Sequence, residues 1–281
     1  MLIGKPTVAA TRISTQVRML SNESADQTLI SLENVTKTFS TPSGKITVLS
    51  DITFAVKRGR TLCIVGPSGC GKTTILNLIS GFLTPTSGIV KINGRPVKGP
   101  GPDRAVVFQR DSVFPWLTVR QNLEYGPKVR GIPRRQWAQR IDEYLEKVGL
   151  KDVANHYPKQ LSGGMKKRVD IARAYANKPE ILLMDEPFGS LDVMTKELMQ
   201  KDLIELSYKE QKSLIFITHD IEEAVFLGDE VLVMTRRPPN IKKRIEVSFP
   251  KPRNIGLKLE PGFQAMRKEI DAILKGRELH A

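Results

Sequence analysis

The fold is decided by Gly66-Pro67-Ser68-Gly69-Cys70-Gly71-Lys72-Thr73-Thr74, which follows the phosphate-binding pattern of Gly, four residues, and then Gly-Lys-Ser/Thr. Residues 61–65 form a short apolar run that predicts a buried strand, and residues 74–79 predict the first turns of a helix. A strand that passes through a glycine turn into a helix points backbone N–H groups and the positive end of the helix dipole toward one place. We therefore predict a nucleoside-triphosphate site in which Lys72 reaches the β- and γ-phosphates and the Thr73 hydroxyl binds Mg²⁺.

The composition is that of a soluble globular protein. Of the 281 residues, 40% are hydrophobic and 26% are charged, which suits one large core with a smaller attached subdomain. Since no run of about 18 apolar residues occurs, we do not expect the chain to cross a membrane by itself. Cys63 and Cys70 have neither metal nor redox spacing, which favours a reducing compartment.

The chain is strongly basic, with a formal net charge of +14. Half of this charge follows from Arg236 onward, where 12 basic residues face 5 acidic ones. Such a surface suits either nucleic acid or anionic lipid headgroups, and the charge alone does not choose between them.

The order of patterns along the chain predicts an α/β fold. Residues 29–56 roughly alternate and predict an antiparallel β subdomain, whereas the later strands alternate with helices, which favours a mostly parallel sheet in a phosphate-loop NTPase core. A helical insert subdomain is expected over about 110–176, including a helix from Arg134 to Gly149. The expected domains are a flexible N-terminal extension at 1–27, a nucleotide-binding domain at 28–250, and a basic C-terminal tail with a short helix at 251–281.

Two carboxylates follow the apolar run 181–184, namely Asp185 and Glu186. Open α/β sheets bind their ligands at the carboxyl ends of strands, so both side chains are expected at the nucleotide site. Asp185 is predicted to hold Mg²⁺, and Glu186 to orient and deprotonate the attacking water. The alternative is that both carboxylates only mark a solvated strand end, but such an end would not need four apolar residues before it.

A second glycine-rich helix start is Leu161-Ser162-Gly163-Gly164-Met165, which precedes the helical run 166–176. Its backbone donors and helix dipole form another anion-binding end. One γ-phosphate needs only one such end from each side, which indicates that two chains enclose the nucleotide between them.

Taken together, these motifs resemble the ATPase subunit of an ATP-binding cassette (ABC) transporter over about residues 29–250. The matching motifs are, in chain order, the phosphate loop at Gly66–Thr74, the Q-loop glutamine at Gln109, the signature at Leu161–Met165, the acidic strand end at Ile181–Glu186, the D-loop at Ser190–Asp192 and the switch histidine at His219. Met165 stands where the usual signature has Gln, and the loss of one side-chain hydrogen bond predicts only a modest effect, about 1 kcal/mol.

The resemblance implies ATP and Mg²⁺ as cofactors and assigns roles by position. The residues expected to contact ATP are Phe39 (stacked on the adenine), Gly66, Pro67, Ser68, Gly69, Cys70, Gly71, Lys72, Thr73, Thr74, Ser162, Gly163 and Gly164. Mg²⁺ would be held by Thr73, Gln109 and Asp185. The residues expected to take part in hydrolysis are Glu186, His219, Gln109 and Lys72, with His219 on the γ-phosphate.

Two less specific stretches, 114–119 and 236–241, resemble the ATPase subunits of nitrate, sulfonate and taurine importers. The function implied is ATP hydrolysis that powers uptake of such an anion. The partners implied are a second copy or a paralogous ATPase subunit, transmembrane permease subunits, indirectly a solute-binding protein, and an anionic membrane surface; the location implied is peripheral, on the cytoplasmic face of the inner membrane. Phe114 and Trp116 are candidates for the groove that receives the permease, or else they fill the core of the insert.

Two other classes of protein share parts of this pattern. A soluble ABC-type ATPase acting on DNA would fit the positive charge, but such proteins usually separate their motifs with long coiled coils, and residues 109–161 are too few for one. No nucleic acid is therefore expected as a partner. A phosphate-loop kinase would need neither the signature nor Glu186, because its nucleophile is a substrate.

Overall fold

The computed structural model describes residues 27–276 except 43, 190, 237 and 238. The expected N-terminal extension and Ser190 of the D-loop therefore lie outside the described residues. The strands are β1 Thr28–Thr41, β2 Gly44–Lys57, β3 Thr61–Val65, β4 Ser87–Ile92, β5 Arg95–Pro96, β6 Arg104–Val107, β7 Ile181–Asp185, β8 Ser213–Thr218, β9 Glu230–Met234 and β10 Ile241–Glu246. The α-helices are α1 Lys72–Ser80, α2 Val119–Val129, α3 Ala138–Lys147, α4 Gly163–Ala176, α5 Val193–Glu210, α6 Ile221–Leu227 and α7 Pro261–Leu274.

A six-stranded sheet in the order β10-β9-β3-β8-β7-β6 forms the centre of the molecule. The pairs from β9 to β6 are parallel, and β10 adds an antiparallel edge. Strands β3, β7 and β8 are buried along their whole length, as parallel strands covered on both faces must be. Their carboxyl ends lie side by side, so the residues that follow them meet at one edge.

The two faces of this sheet pack into different cores. Leu62 and Ile64 of β3 join the core that contains α1 and the four-stranded sheet β2-β1-β4-β5, whereas Cys63 and Val65 face the core that contains the helical insert and α6. The four-stranded sheet is antiparallel throughout. The predicted antiparallel β subdomain and mostly parallel sheet are therefore both present.

The helical insert departs from its prediction in one detail. The single helix expected over 134–149 is a 3₁₀ turn at Arg134–Gln136 followed by α3. The break falls at Trp137, which is 3% exposed and whose indole N–H donates to the Ile132 carbonyl at 2.8 Å. Burying the indole with its hydrogen bond fixes this residue outside helical geometry, a tertiary effect that helical spacing does not reveal. None of the helices in the described part of the chain has the length and apolar character needed to cross a bilayer.

The described part of the basic tail packs on the sheet and α6. Phe263 and Ile270 of α7 are fully buried, as their helical spacing predicts. The buried Arg253 guanidinium donates to the carbonyls of Val225, Phe226, Gly228, Val247 and Phe249. It thereby joins the carboxyl end of α6 to the segment after β10, a strand that the sequence pattern did not predict.

Candidate nucleotide-hydrolysis site

The phosphate loop lies between β3 and α1, where the sequence places it. Gly71 has φ of 103° and lies so close to β2 that an added Cβ would be 2.5 Å from Leu49 Cδ2 and 2.9 Å from the Val48 carbonyl. Only glycine fits this conformation and this space. Lys72 is 7% exposed, and its ammonium donates to the carbonyls of Gly66 at 2.8 Å and Pro67 at 3.2 Å. The lysine charge is therefore held inside the phosphate loop by two of the loop's own carbonyls.

Asp185 ends β7 next to the first turn of α1. Its Oδ2 accepts a hydrogen bond from Thr73 Oγ1 at 2.9 Å, and the residue is 7% exposed. Burial raises the pKa of the Asp185 carboxyl, and the neighbouring Glu186 charge raises it further, against the Thr73 hydrogen bond and Lys72, which lower it. A hydroxyl and a carboxylate are the oxygen ligands that Mg²⁺ prefers, and a cation here would offset the buried negative charge.

Glu186 brings together the residues that follow three adjacent strands. Its Oε2 accepts from Gln109 Nε2 at 3.2 Å, and His219 Nδ1 lies 3.1 Å from the same oxygen. Gln109 follows β6, Glu186 follows β7 and His219 follows β8. Glu186 has φ of 45°, which a residue with a Cβ adopts only at a cost and which is common at functional sites. The carboxylate therefore lies within hydrogen-bond distance of one side chain following each neighbouring strand, beside the phosphate loop.

The remaining residues predicted to contact ATP, Ser162–Gly164 and Phe39, take no part in this hydrogen-bonded network of described residues. Ser162 is the N-cap of α4, and its Oγ accepts from the Met165 N–H at 3.3 Å. A Cβ on Gly163 would meet no atom within 4 Å, so this end of α4 is open. Met165 packs on the apolar core, which explains how an apolar residue is accommodated there. Phe39 is half-buried in β1, with Lys37 Nζ 5.1 Å from its ring centroid.

Sequence reasoning missed the groups that hold these side chains in place. Lys196 of α5 donates to Asp220 at 2.7 Å and lies 2.8 Å from Glu223, and Glu223 also accepts from Thr218 Oγ1. These contacts fix the turn that carries His219. Asp220 and Glu223 gave a detectable signal, because an acidic N-cap and first turn mark the start of α6. Lys196 is one of many lysines, and nothing in its local sequence distinguishes it.

An aromatic cluster lies on the segment that follows Gln109. The Phe114 ring centroid is 5.5 Å from that of Trp116 and 4.6 Å from that of Tyr125. Trp116 is 68% exposed and Tyr125 is 43% exposed. Trp116 therefore does not fill the core of the insert, which was one of the two expectations for it.

The fold and this geometry define a class of protein, the phosphate-loop NTPases. A glycine loop with a buried lysine, a Thr–Asp pair beside it and a second carboxylate at the same edge of the sheet match the parts from which phosphate-loop NTPases are built. A family model described as ABC transporter matches residues 49–189. The chain belongs to this family.

Relatives and solved structures agree with this assignment. The nitrate import ATP-binding protein NrtD of Synechocystis sp. is 44% identical, over 89% of this chain and 96% of the relative. The taurine import ATP-binding protein TauB of Roseobacter denitrificans is 40% identical, over 86% of this chain and 92% of the relative. The dimeric bacterial ABC transporter cassette MJ0796 has a TM-score of 0.70 at 33% identity, covering 79% of this chain and all of that one. The same cassette in a post-hydrolysis state with ADP and Pi has a TM-score of 0.69 at 31% identity.

The chain is therefore an ABC-type ATPase that binds ATP, with the fold predicted from its sequence. The predictions of family, fold class and enzyme class are confirmed. These two relatives are named as nitrate and taurine import ATP-binding proteins, which gives the alternative of a DNA-acting ATPase no support.

Proposed function

We propose that two copies of this chain hydrolyse ATP at shared sites and so power the uptake of a small anion. The observation that carries the proposal is the Glu186 carboxylate, which Gln109 and His219 hold beside the buried Thr73–Asp185 pair. Each site combines Phe39, the phosphate loop Gly66–Thr74 and these groups from one copy with Ser162–Gly164 of the other. Glu186 takes the proton of the attacking water, and His219 contacts the γ-phosphate.

Mg²⁺ fits the oxygen ligands beside the phosphate loop. Thr73 and Asp185 are already hydrogen-bonded to each other, and Gln109 donates from its amide nitrogen to Glu186, so its carbonyl oxygen would be the atom that binds a cation. When bound, Mg²⁺ would neutralise charge on the phosphate oxygens. Lys72 supplies a further positive charge from within the loop.

The shared site is supported by what the chain exposes near its D-loop and signature. Val193 is 71% exposed and Met194 is 77% exposed at the start of α5, and the end of α4 at Gly163 is open. Exposed apolar residues beside an open anion-binding helix end suit burial against a second chain. The dimeric form of the related cassette supports the same arrangement.

The transport role follows from the relatives and the aromatic cluster. Their names specify nitrate and taurine import, so a small anion of that kind, including a sulfonate, is the proposed cargo. Residues 28–250 form the nucleotide-binding domain, and the insert at about 110–176 offers Phe114 and Trp116 to transmembrane permease subunits. A solute-binding protein would act on the opposite side of the membrane. The chain itself would lie peripherally on the cytoplasmic face of the inner membrane, with its basic tail near lipid headgroups or a neighbouring subunit.

The substitution Glu186→Gln tests the shared site directly. It keeps the size of the side chain but removes the base, so kcat should fall by about 10²–10⁴ while ATP still binds. Bound ATP that is not hydrolysed should hold two copies together. Size-exclusion chromatography with light scattering should then show the 31.4 kDa chain doubling in mass only when ATP is present.

Glu143→Gln is the matched control, because Glu143 lies on the surface of α3 and is bonded to Gln139. It should change neither turnover nor mass. A Glu186→Gln protein that stays monomeric with saturating ATP would count against the shared site. Turnover close to that of the unmodified protein would remove Glu186 from its role as the base.

A further inference from the structure

The segment between β6 and α2 connects the hydrolysis site to the exposed aromatic cluster. Residues 108–118 contain neither helix nor strand, so their backbone groups need partners from elsewhere. Gln109 at one end bonds to Glu186, and Trp116 near the other end is exposed. We call residues 108–118 the connecting segment.

A buried lysine of α4 holds the start of the connecting segment. Lys167 is 1% exposed, and its ammonium donates to the Phe108 carbonyl at 2.9 Å and the Gln109 carbonyl at 3.1 Å. The nearest carboxylates are farther away, with Asp111 Oδ1 at 3.9 Å and Asp170 Oδ2 at 4.0 Å. The main partners of this buried charge are therefore backbone carbonyls, one of which belongs to Gln109 itself.

Two more charged residues on the same face of α4 hold the next part of the segment. Asp170 accepts from the Ser112 N–H at 3.0 Å and from Ser112 Oγ at 2.9 Å. Arg173 donates to the Ser112 carbonyl at 2.8 Å and also to Asp170. Its guanidinium carbon lies 4.8 Å from the Phe114 ring centroid. Ser112 is thus bonded through its N–H, its carbonyl and its hydroxyl to a single helix.

We propose that Lys167 is a positioning residue, which with Asp170 and Arg173 fixes Gln109 relative to the open end of α4. The inference rests on the proposed function, in which Gln109 serves one nucleotide and Ser162–Gly164, at the start of the same helix, serve the other. Lys167 lies in the second turn of α4, close behind that end. The three charged residues therefore join the parts of one chain that contact the two ATP molecules of the dimer.

Two buried charges, Lys167 and Asp170, and the largely enclosed Arg173 lie on one helical face, which supports a positioning role over simple packing. Burial lowers the pKa of Arg173 and raises that of Asp170, so both charged forms are disfavoured by their surroundings. Apolar residues of similar size would pack against a loop without this penalty. What apolar residues cannot do is bond to specific carbonyl and N–H groups, and those bonds set the position of the segment.

The kinetic test combines Lys167→Met with Gln109→Ala. Lys167→Met should lower kcat by about tenfold or more, because a displaced Gln109 no longer holds Glu186 in place. The dissociation constant of ATP should change by no more than about threefold, since no phosphate-loop residue is altered. In the Gln109→Ala background, Lys167→Met should cause little further loss. Independent, multiplicative losses would overturn the proposal.

Two further variants separate positioning from damage to the fold. Lys167→Gln keeps a donor for the two carbonyls and should restore part of the turnover lost in Lys167→Met. If Lys167→Met fails to fold, Ser112→Ala takes its place in the test. It alters only the half-buried loop side chain and should lower kcat severalfold. Lys151→Met is the control, because Lys151 is a surface residue of the insert and is 65% exposed in its side chain. It should behave like the unmodified protein.

Amide hydrogen exchange tests the position of the segment without relying on activity. In the free protein, Lys167→Met should raise the exchange rate of residues 108–114 and leave that of α1 unchanged. Unchanged exchange over 108–114 would overturn the proposal whatever the kinetics show. Full activity of Gln109→Ala would instead refute the proposed role of Gln109, and the exchange result would still decide whether Lys167 holds the segment.

Discussion

We expect Asp185 to lower the folding stability of the nucleotide-free protein and yet to be required for hydrolysis. The substitution Asp185→Asn removes its charge and keeps its shape, and the new amide oxygen can accept the Thr73 hydrogen bond that spans 2.9 Å. Two opposite effects are expected from this one change. The folded chain loses a buried carboxylate that lies next to Glu186, and the site loses the anionic ligand proposed for Mg²⁺.

The stability effect has a definite sign and pH dependence. Because burial raises the pKa of the folded Asp185 carboxyl above its ordinary 3.8, ionisation at neutral pH disfavours the folded state. Asp185→Asn should therefore stabilise the protein at pH 7 by about 1 kcal/mol, or about 2–4 °C in Tm. Below the ordinary pKa the carboxyl is protonated in both states, so the gain should shrink as the pH falls toward 4.

Asp185→Asn should also reduce turnover, and this loss should be much larger than the gain in stability. Loss of the charged metal ligand should lower kcat by about 10³-fold, or about 4 kcal/mol of barrier at 1.4 kcal/mol per tenfold. Phosphate release measures kcat, and thermal unfolding between pH 4 and 8 measures Tm. Asp202→Asn is the control: burial also raises the pKa of Asp202, on α5, so it should stabilise the fold without loss of turnover. A destabilised Asp185→Asn protein, or one that keeps a tenth of its activity, would refute the reasoning.

Two further substitutions address the phosphate loop and the permease. Lys72→Ala removes the buried ammonium that bonds to the Gly66 carbonyl, so turnover measured by phosphate release should fall at least about 10³-fold; a fully active variant would remove Lys72 from its role. Phe114→Ala combined with Trp116→Ala should leave the ATPase activity of the free protein within about twofold, because the hydrogen bonds that hold the connecting segment go to Ser112 and to backbone carbonyls rather than to these rings. The double substitution should nevertheless weaken co-purification with the permease. Unchanged co-purification would contradict the docking role of these aromatic residues.

The parts of the fold that the sequence predicted are those with local signals. Strand β3 and helix α6 begin and end at the predicted residues, because uninterrupted apolar runs and an acidic N-cap mark them. Helix α3 begins later than expected, since the burial of Trp137 outweighs helical spacing. Strand β10 was missed because residues 242–244 are Lys-Lys-Arg, which a half-exposed edge strand tolerates but which no β pattern indicates.

The residues of the candidate site also separate into those with a local sequence signal and those without one. Lys72, Asp185 and Glu186 stand in motifs whose spacing reflects their chemistry, so sequence alone located them. Lys167 and Lys196 act through groups that are distant in the chain: Lys167 bonds to a carbonyl 58 residues away at Gln109, and Lys196 bonds to a carboxylate 24 residues away at Asp220. Only the packed fold brings these pairs together, and so no local pattern could identify them.

The unfavourable features of this structure coincide with its chemistry. Glu186 takes a left-handed backbone conformation, Asp185 is an ionisable acid buried beside it, and Lys167 is a buried charge with backbone partners. Each would be removed by selection for stability alone, since a simpler residue fits each place at a lower free energy. They lie at the end of β7 or beside the end of its neighbour β6, and β7 is fully buried between β6 and β8, which holds this edge of the sheet in position. The stable sheet thus keeps the two carboxylates close together, and in the proposed site a bound cation would balance their negative charge.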